Sequence, residues 1–450
     1  MRHIIRSILL ILAATDVRLA QTAEAADQTA PPPQTPQLHH FEEVREQGPP
    51  LSIQAALREA TDRDPALAEL KAQIVAVRQR AVQARSLDAP MLEGQIWQWP
   101  IGTLNPSRAD MYMLSVSQEF PGRGKRTLRA GVVEKDVALF EAGVERRARE
   151  LRNEITQAYV ELVVARQAIA IHQNTLGLLQ HVVTATQARY ESGSVSQYDV
   201  LAGVVELSKL HEDLIDLDRE HQLTAARLNT LMQRDPDAPI GRLDEPVDPL
   251  PLRPLLELQQ AALELHPDVV AARAMQERTV AMQAEARGDL RPDLRISAGY
   301  MARPGNDNED AWLASVGLTW PKAPWARKKV DARVAEATAE QEAGAARERA
   351  AVAQIRLAVH DAYTRASAAE QRVRLLRTTL LPQSRQAVEV SSIAYQSNRA
   401  DLQAVLNEQR MLRDSQLSYY RAVTEVRQAI AELESLVGGM VTTVPVIAQQ

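Results

Sequence analysis

The sequence predicts a mainly α-helical chain: a tandem duplication of long coiled-coil helices, with a small transmembrane β part in each copy. Three observations predict it. Apolar residues recur at alternating three- and four-residue steps over many heptads; anchors of the first half reappear in order in the second; and all five tryptophans fall in or beside two pairs of short alternating runs.

Composition narrows the field before any element is placed. The chain has 450 residues and a net charge of -6, without the strongly basic face of a nucleic-acid binder. It has no cysteine, which excludes disulfides, thiolate zinc sites, cysteine nucleophiles and N-terminal lipoprotein acylation. With only three Phe and five Trp, the chain lacks the bulky residues of a thick globular core and suits helices packed narrowly side by side.

Residues 1–25 read as a secretory signal peptide: Arg2, His3 and Arg6 precede an apolar run from Ser7 to Ala14, and Ala23-Glu24-Ala25 supplies a small-x-small cleavage site. A Pro-rich extension occupies 26–50. No later stretch is apolar over the about 18 residues that a spanning helix needs, so membrane spanning falls to strands.

A second Pro-rich run, 234–254, divides two repeats, 51–233 and 255–438, with a tail at 439–450. Asp64-Pro65 matches His266-Pro267, and Pro90 matches Pro292. "LSVSQEFP" (114–121) matches "ASVGLTWP" (314–321), and "RYESGSVSQYDVL" (189–201) matches "AYQSNRADLQAVL" (394–406). Ordered anchors at nearly constant offsets mean two copies of one supersecondary unit.

Each copy reads as helix, two strands, long helix, helix. Residues 51–88 carry helical spacing, with a break or new start expected at Pro65. Strands are expected at 91–101 and 110–120, and in the second copy at 292–301 and 312–320. In the second of these, Tyr112, Leu114, Val116 and Phe120 alternate with Met113, Ser115, Ser117 and Glu119. The long helix shows Leu151, Ile155, Ala158, Leu162, Ala165, Ile169, and its counterpart Ile355, Val359, Ala362, Ala366, Ala369, Val373. These are coiled-coil seams. A helix from Lys125 to Arg189 would be roughly 100 Å long.

Four strands are too few to close a membrane barrel, so several chains must share one. Trp97, Trp99, Trp312, Trp320 and Trp325 are placed as its interfacial aromatics. "SQEFPGRGKR" (117–126) resembles a phosphate loop but fails its pattern, because Arg126 follows Lys125 where a hydroxyl is needed. Pro121 and Gly122 instead end a strand and turn the chain into the long helix. Arg123, Lys125, Arg126 and Arg129, with Lys322, Arg327, Lys328 and Lys329 in the second copy, would form a basic collar facing lipid phosphates at the membrane surface. Ordinary solvated charge is the alternative reading of that collar.

At this point the sequence resembles the TolC superfamily of outer-membrane efflux channels, over about residues 51–438. The motifs that carry the resemblance are "LSIQAALREATDRDPALAEL", "SQEFPGRGKRTLR", "RYESGSVSQYDVL" and "VLNEQRMLRDSQLSYYRAVTEVRQAIAELESLVG". The junction "PGRGKR" is most similar to the heavy-metal or cation branch of resistance-nodulation-division (RND) systems. The resemblance implies a homotrimer with a shared 12-stranded barrel, embedded in outer-membrane lipid and continued by a helical tunnel through the periplasm. It also implies docking onto a periplasmic adaptor and an inner-membrane RND pump.

No catalytic constellation, cofactor site or metal site is found, so an enzyme is not expected; His39-His40 sits in the Pro-rich extension and is read as solvated tail. Candidate working residues lie at the two helix-to-helix turns, which the resemblance makes the periplasmic mouth. Tyr190 and Gly193 match Tyr395 and Asn398, where a left-handed residue is expected. Ser196 and Asp401 are equivalent N-cap residues. The resemblance implies a bond from Tyr395 to Asp199 that holds the mouth shut. The sequence makes two departures from the family pattern: the paired aspartates of the constriction read Ala404 and Asn407, and the turn arginine reads Ala400 with Arg399 beside it. Cargo stays open between metal export, drug efflux and type I secretion. A soluble periplasmic scaffold or adaptor accounts for the heptads and the signal peptide but not for duplicated strand pairs carrying every tryptophan.

Overall fold

The computed structural model describes residues 48–102, 105–244, 251–303 and 309–442. The expected signal peptide, His39-His40 and parts of the Pro-rich segments and the tail lie outside them.

The first repeat opens with α1 (Ile53–Arg63) and α2 (Pro65–Arg85). Ser52 caps α1 by accepting from Ala55 N at 3.2 Å, and Asp64 caps α2 by accepting from Leu67 N at 2.8 Å. Proline takes the first turn of α2, where its missing N–H costs nothing. A hairpin follows, β1 (Met91–Trp97) and β2 (Met111–Phe120), then α3 (Lys125–Glu191) and α4 (Gln197–Leu231). The second repeat has the same order: α5 (Leu255–Leu265), α6 (Pro267–Gly288), β3 (Leu294–Ala302), β4 (Ala311–Leu318), α7 (Pro324–Leu375), α8 (Leu381–Gln396) and α9 (Leu402–Val437). His266 stands in for Asp64, its Nδ1 accepting from Asp268 N at 3.1 Å. Between α7 and α8 the helix widens to a π turn over Leu376–Leu380, just ahead of Pro382, which has no N–H to give.

At 67 residues, α3 runs for about 100 Å. No helix among the described residues is long and apolar enough to cross a membrane. Each repeat has its own core. Ala56, Ala60, Leu151, Ile155, Leu162 and Leu228 bind α1, α3 and α4, and the counterparts Leu258, Ala262, Ile355, Val359, Ala366 and Leu433 bind α5, α7 and α9. Alanine recurs at fully buried positions such as Ala158 and Ala362, where a larger side chain would hold the helices apart.

The four strands form one antiparallel sheet in the order β1-β2-β3-β4, leaving β1 and β4 as open edges. Register sorts the side chains cleanly. Leu92, Val116, Ala298 and Ala314 form one row across the sheet, and Ser117, Ser297 and Ser315 belong to the opposite face. On that polar face Arg295 Nη2 donates to Glu119 Oε2 at 2.8 Å, and Ser297 and Ser315 share a bond of 2.7 Å. Tyr300 and Trp312 meet edge-to-face at 5.3 Å on the apolar face.

The strand limits differ from expectation in ways the backbone explains. β1 stops at Trp97 rather than residue 101, because Gln98 turns left-handed (φ 56) and Pro100 cannot donate to a ladder. β3 starts at Leu294 rather than residue 292, since Pro292 lacks an N–H and the Asp293 N–H donates to Thr319 Oγ1 at 2.7 Å instead of to a ladder carbonyl. β4 runs Ala311–Leu318, two residues short of Trp320, which opens the turn into α7. All five tryptophans are exposed. Trp97, however, faces Met111 in register and bonds through Nε1 to Gln95 Oε1 at 2.9 Å, which puts it on the polar face, opposite Tyr300 and Trp312.

Candidate functional site: the helical tip and the strand-to-helix junction

Far from the sheet, the two turns are near copies. Gly193 (φ 74) and Asn398 (φ 58) take the left-handed position, Ser194 N donates to Arg189 O, and Arg399 N donates to Ala394 O, both at 2.8 Å. Their aromatic neighbours part company. Tyr190 is exposed, whereas Tyr395 is buried against α3. Thr186 gives its hydroxyl proton to Val182 O at 2.8 Å, so the 2.9 Å bond between Tyr395 and Thr186 is donated by the phenol. Arg189 lies 4.7 Å over the Tyr395 ring, donates to Tyr395 O at 3.2 Å and reaches Asn398 Oδ1.

The expected Tyr395–Asp199 bond is therefore not the one formed. Asp199 is the third residue of α4 and folds back on its own N-cap, its Oδ2 accepting from Ser196 N at 3.1 Å and from Ser196 Oγ at 2.8 Å. A local capping box outcompetes the long-range link. Asp401 likewise caps α9, accepting from Ala404 N at 2.9 Å, and Arg399 is exposed.

A stronger tie lies about two turns of helix further in. Glu206 of α4 is 5% exposed and receives Arg410 of α9, with Nε donating to Oε1 at 2.8 Å and Nη2 to Oε2. The Arg410 hydrogen bonds hold the Glu206 carboxyl below its ordinary range, outweighing the opposite effect of burial. Around these ties Leu179, Val183, Leu207, Leu402 and Leu406 pack into a separate apolar cluster. Sequence reasoning passed over Glu206 and Arg410. Each reads alone as a charge beside a heptad position, and nothing local pairs residues so far apart in the chain.

Midway along α3 a groove of about 560 Å³ is lined by Glu161, His172, Asp213, Asp216, Glu220 and Arg413. His172 is buried; its Nδ1 donates to Ala168 O at 2.9 Å, and its Nε2 lies 3.8 Å from Asp213. Burial lowers its pKa, so protonation favours the unfolded chain. Stability is expected to fall as pH drops from the ordinary histidine value of 6.5 towards the lowered one. His172→Phe should flatten that part of a melting-temperature profile, and an unaltered profile would rule the histidine out. No group of three His, Asp or Glu placed to hold a metal ion occurs among the described residues.

At the other end, the chain leaves β2 through Pro121 and Gly122. The anion received there is the chain's own. Asp293 Oδ1 accepts from Gly122 N at 2.7 Å, and Lys125 Nζ donates to both carboxylate oxygens at 2.8 and 2.9 Å. Lys125 is 6% exposed and cannot belong to a lipid-facing collar. Arg126 donates to Arg85 O at 2.9 Å, and Arg129 lies 4.0 Å from Glu285. Arg123 remains exposed, as do Lys322, Arg327, Lys328 and Lys329 in the second repeat, where Trp320 and Trp325 meet edge-to-face at 6.4 Å.

Comparison with known proteins agrees with this fold. The sequence profile of the outer membrane efflux protein family matches residues 56–233 and 258–439, one stretch for each repeat. The cobalt-zinc-cadmium resistance protein CzcC of Cupriavidus metallidurans is 22% identical over 395 residues, 88% of this chain and 91% of its own. Among solved structures, the outer-membrane channel OprN superposes with a TM-score of 0.72 at 20% identity, covering 86% of this chain and 90% of that one. CusC gives 0.73 at 14% identity over 91% of this chain and 99% of its own. The open state of the Neisseria gonorrhoeae MtrE channel gives 0.71 at 17% identity, over 87% and 89%. With its profile matched across both repeats, the chain is a member of the outer membrane efflux protein family, proteins of the outer membrane.

Proposed function

We propose that three copies of the chain form one exit duct of a tripartite efflux system. The barrel has 12 strands, the helices continue as a tunnel through the periplasm, and the tip meets a periplasmic adaptor and an inner-membrane RND pump. The observation that carries this reading is the four-stranded sheet with two open edges, apolar on one face and polar on the other. Unpaired edges are untenable in hydrocarbon, and four strands cannot close alone. The ten residues of β2 reach about 33 Å, enough to cross a bilayer at a barrel tilt.

Heavy-metal cations are the proposed cargo, supported by the relative named for cobalt, zinc and cadmium resistance. The tip is the periplasmic mouth, held shut by Tyr395–Thr186, Arg189–Tyr395 and Glu206–Arg410, with exposed Tyr190, Arg399 and Asp401 at its rim. The exposed cations Arg123, Lys322 and Arg327 remain candidates for headgroup phosphates.

A deletion strain is expected to stop growing at several-fold lower zinc, cobalt or cadmium, with the cloned gene restoring tolerance. Sensitivity to dyes and detergents alone would move the cargo to drugs, and loss of a secreted protein would move it to type I secretion. Recovery of the chain from the soluble periplasm, without heat-modifiable trimers in the outer membrane, would overturn the duct itself.

A further inference from the structure

The strands carry four of the chain's ten methionines, Met91, Met111, Met113 and Met301, and register puts all four on one face of the sheet. It is the polar face. Met91 pairs with Ser117 and Met113 with Gln95, so the methionines share a surface with Glu119, Arg295 and Ser297. The opposite face, with Leu92, Leu114, Val116, Ile296 and Val316, has none. Contact with lipid is therefore not what placed them.

Three of the four meet. Met113 and Met301 are direct partners in the ladder between β2 and β3, which sets their Cβ atoms about 5 Å apart. Met111 lies two residues before Met113 on the same face and is the diagonal neighbour of Met301, at about 7–8 Å and within reach of a long side chain. Each thioether rides on a flexible, unbranched stem, so the three sulfurs can converge on one point above the sheet. Ala311, the partner of Met301 in β4, is too small to cover them. All three side chains are half-buried, and Arg303 Nη2 lies 3.5 Å from Met301 Sδ. That sulfur thus offers its lone pair to an electrophile instead of facing a packed core.

We propose that Met111, Met113 and Met301 form a thioether site for a soft monovalent cation, of the class of Ag+ and Cu+, on the inner wall of the duct. The inference rests on the duct reading above, which turns the polar face inward, and adds a ligand class to that wall. Thioether sulfur selects soft cations over the hard ones that carboxylate and water suit. Met301 stands at the end of β3 farthest from the joint of Lys125 with Asp293, which puts the site towards the outlet. Three neutral ligands beside the charge of Arg303 give a modest affinity, as a wall that must release what it binds requires.

Silver is the probe, because Ag+ is soft and keeps one oxidation state in buffer. Calorimetric titration of the purified trimer with silver nitrate, free of chloride, is expected to show saturable binding that excess Mg2+ does not displace. Met113→Leu with Met301→Leu nearly conserves side-chain volume and should weaken that binding about tenfold or more. Met411→Leu, at an exposed methionine of α9, should leave it unchanged. Equal Ag+ affinity in the double variant and the unaltered chain, both as heat-modifiable trimers, overturns the site and leaves the duct standing. So does a patch that retains an apolar dye but no Ag+. A chain that forms no such trimers in the outer membrane overturns both. Where the double variant assembles poorly, Arg303→Gln decides. Removing that positive charge should tighten Ag+ binding several-fold, a change that a purely structural methionine cluster would not show, and an unaltered affinity overturns the proposal.

Discussion

Arg410→Met is expected to raise the conductance of the purified trimer in planar bilayers several-fold. The reason is the carboxylate left behind. Glu206 is 5% exposed, and stripping a buried charge of its hydrogen-bonded counter-ion costs about 3–5 kcal/mol. The Arg410 side chain is 35% exposed, so water recovers part of this; a net ~2 kcal/mol against the shut tip is the expected size. That moves the shut-to-open ratio by a factor of about 30. Glu206→Leu with Arg410→Met removes both charges and should return conductance close to its starting value, since an apolar pair can fill the same space without a desolvated ion. Tyr395→Phe deletes one neutral hydrogen bond and should act in the same direction with about 1 kcal/mol. An Arg410→Met trimer that conducts like the unaltered one would remove Glu206–Arg410 from the gate.

The sign of the pH response follows from the same pair. The carboxyl of Glu206 titrates lower in the folded chain than in the unfolded one. Its contribution is therefore complete at neutral pH and is lost progressively as pH falls from the ordinary glutamate value of 4.5 to the depressed one. Conductance of the unaltered trimer should stay flat from about pH 7 to pH 5.

Why the gate was half legible can be argued residue by residue. Helical period, strand alternation and the duplication are local or self-referential, so the order of elements was readable without a partner in view. The turns were readable because left-handed backbone selects Gly or Asn, which pinned Gly193 to Asn398. What periodicity does not encode is which side chain meets which across two helices. Asp199 illustrates the limit: its spacing from Ser196 spells a capping box, and that short-range bond takes the carboxylate the family resemblance had assigned to Tyr395. Tyr395 is satisfied instead by Thr186, a residue with no distinguishing mark in a helix that carries four other threonines. Lys125 shows the converse. As one of several cations in a row it read as surface, yet its position opposite Asp293 buries it.

Lys125→Met is accordingly expected to impair assembly more than any change to an exposed cation of the collar. Asp293 would keep the Gly122 N–H and lose the ammonium that contacts both its oxygens, and with its side chain only 21% exposed the loss is about 2–3 kcal/mol at the joint between sheet and tunnel. Gly122→Ala strikes the same joint through shape. A Cβ there would stand 2.6 Å from the backbone oxygen of Pro292 and 3.0 Å from Arg291 Cβ, and a main-chain oxygen cannot swing aside as a side chain would, so β2 and β3 must separate at their base for about 1–3 kcal/mol. The measurement is the fraction of heat-modifiable trimer in outer membranes, expected to drop several-fold for both changes and to stay level for Lys328→Gln. Lys125→Met with Asp293→Leu should recover part of the yield, because the buried carboxylate goes with its partner. If Lys125→Met and Lys328→Gln gave equal yields, the glycine- and lysine-bearing turn would be an ordinary solvated loop. If they differ as expected, the turn works as an anion cradle after all, with the anion supplied by the second repeat of the same chain.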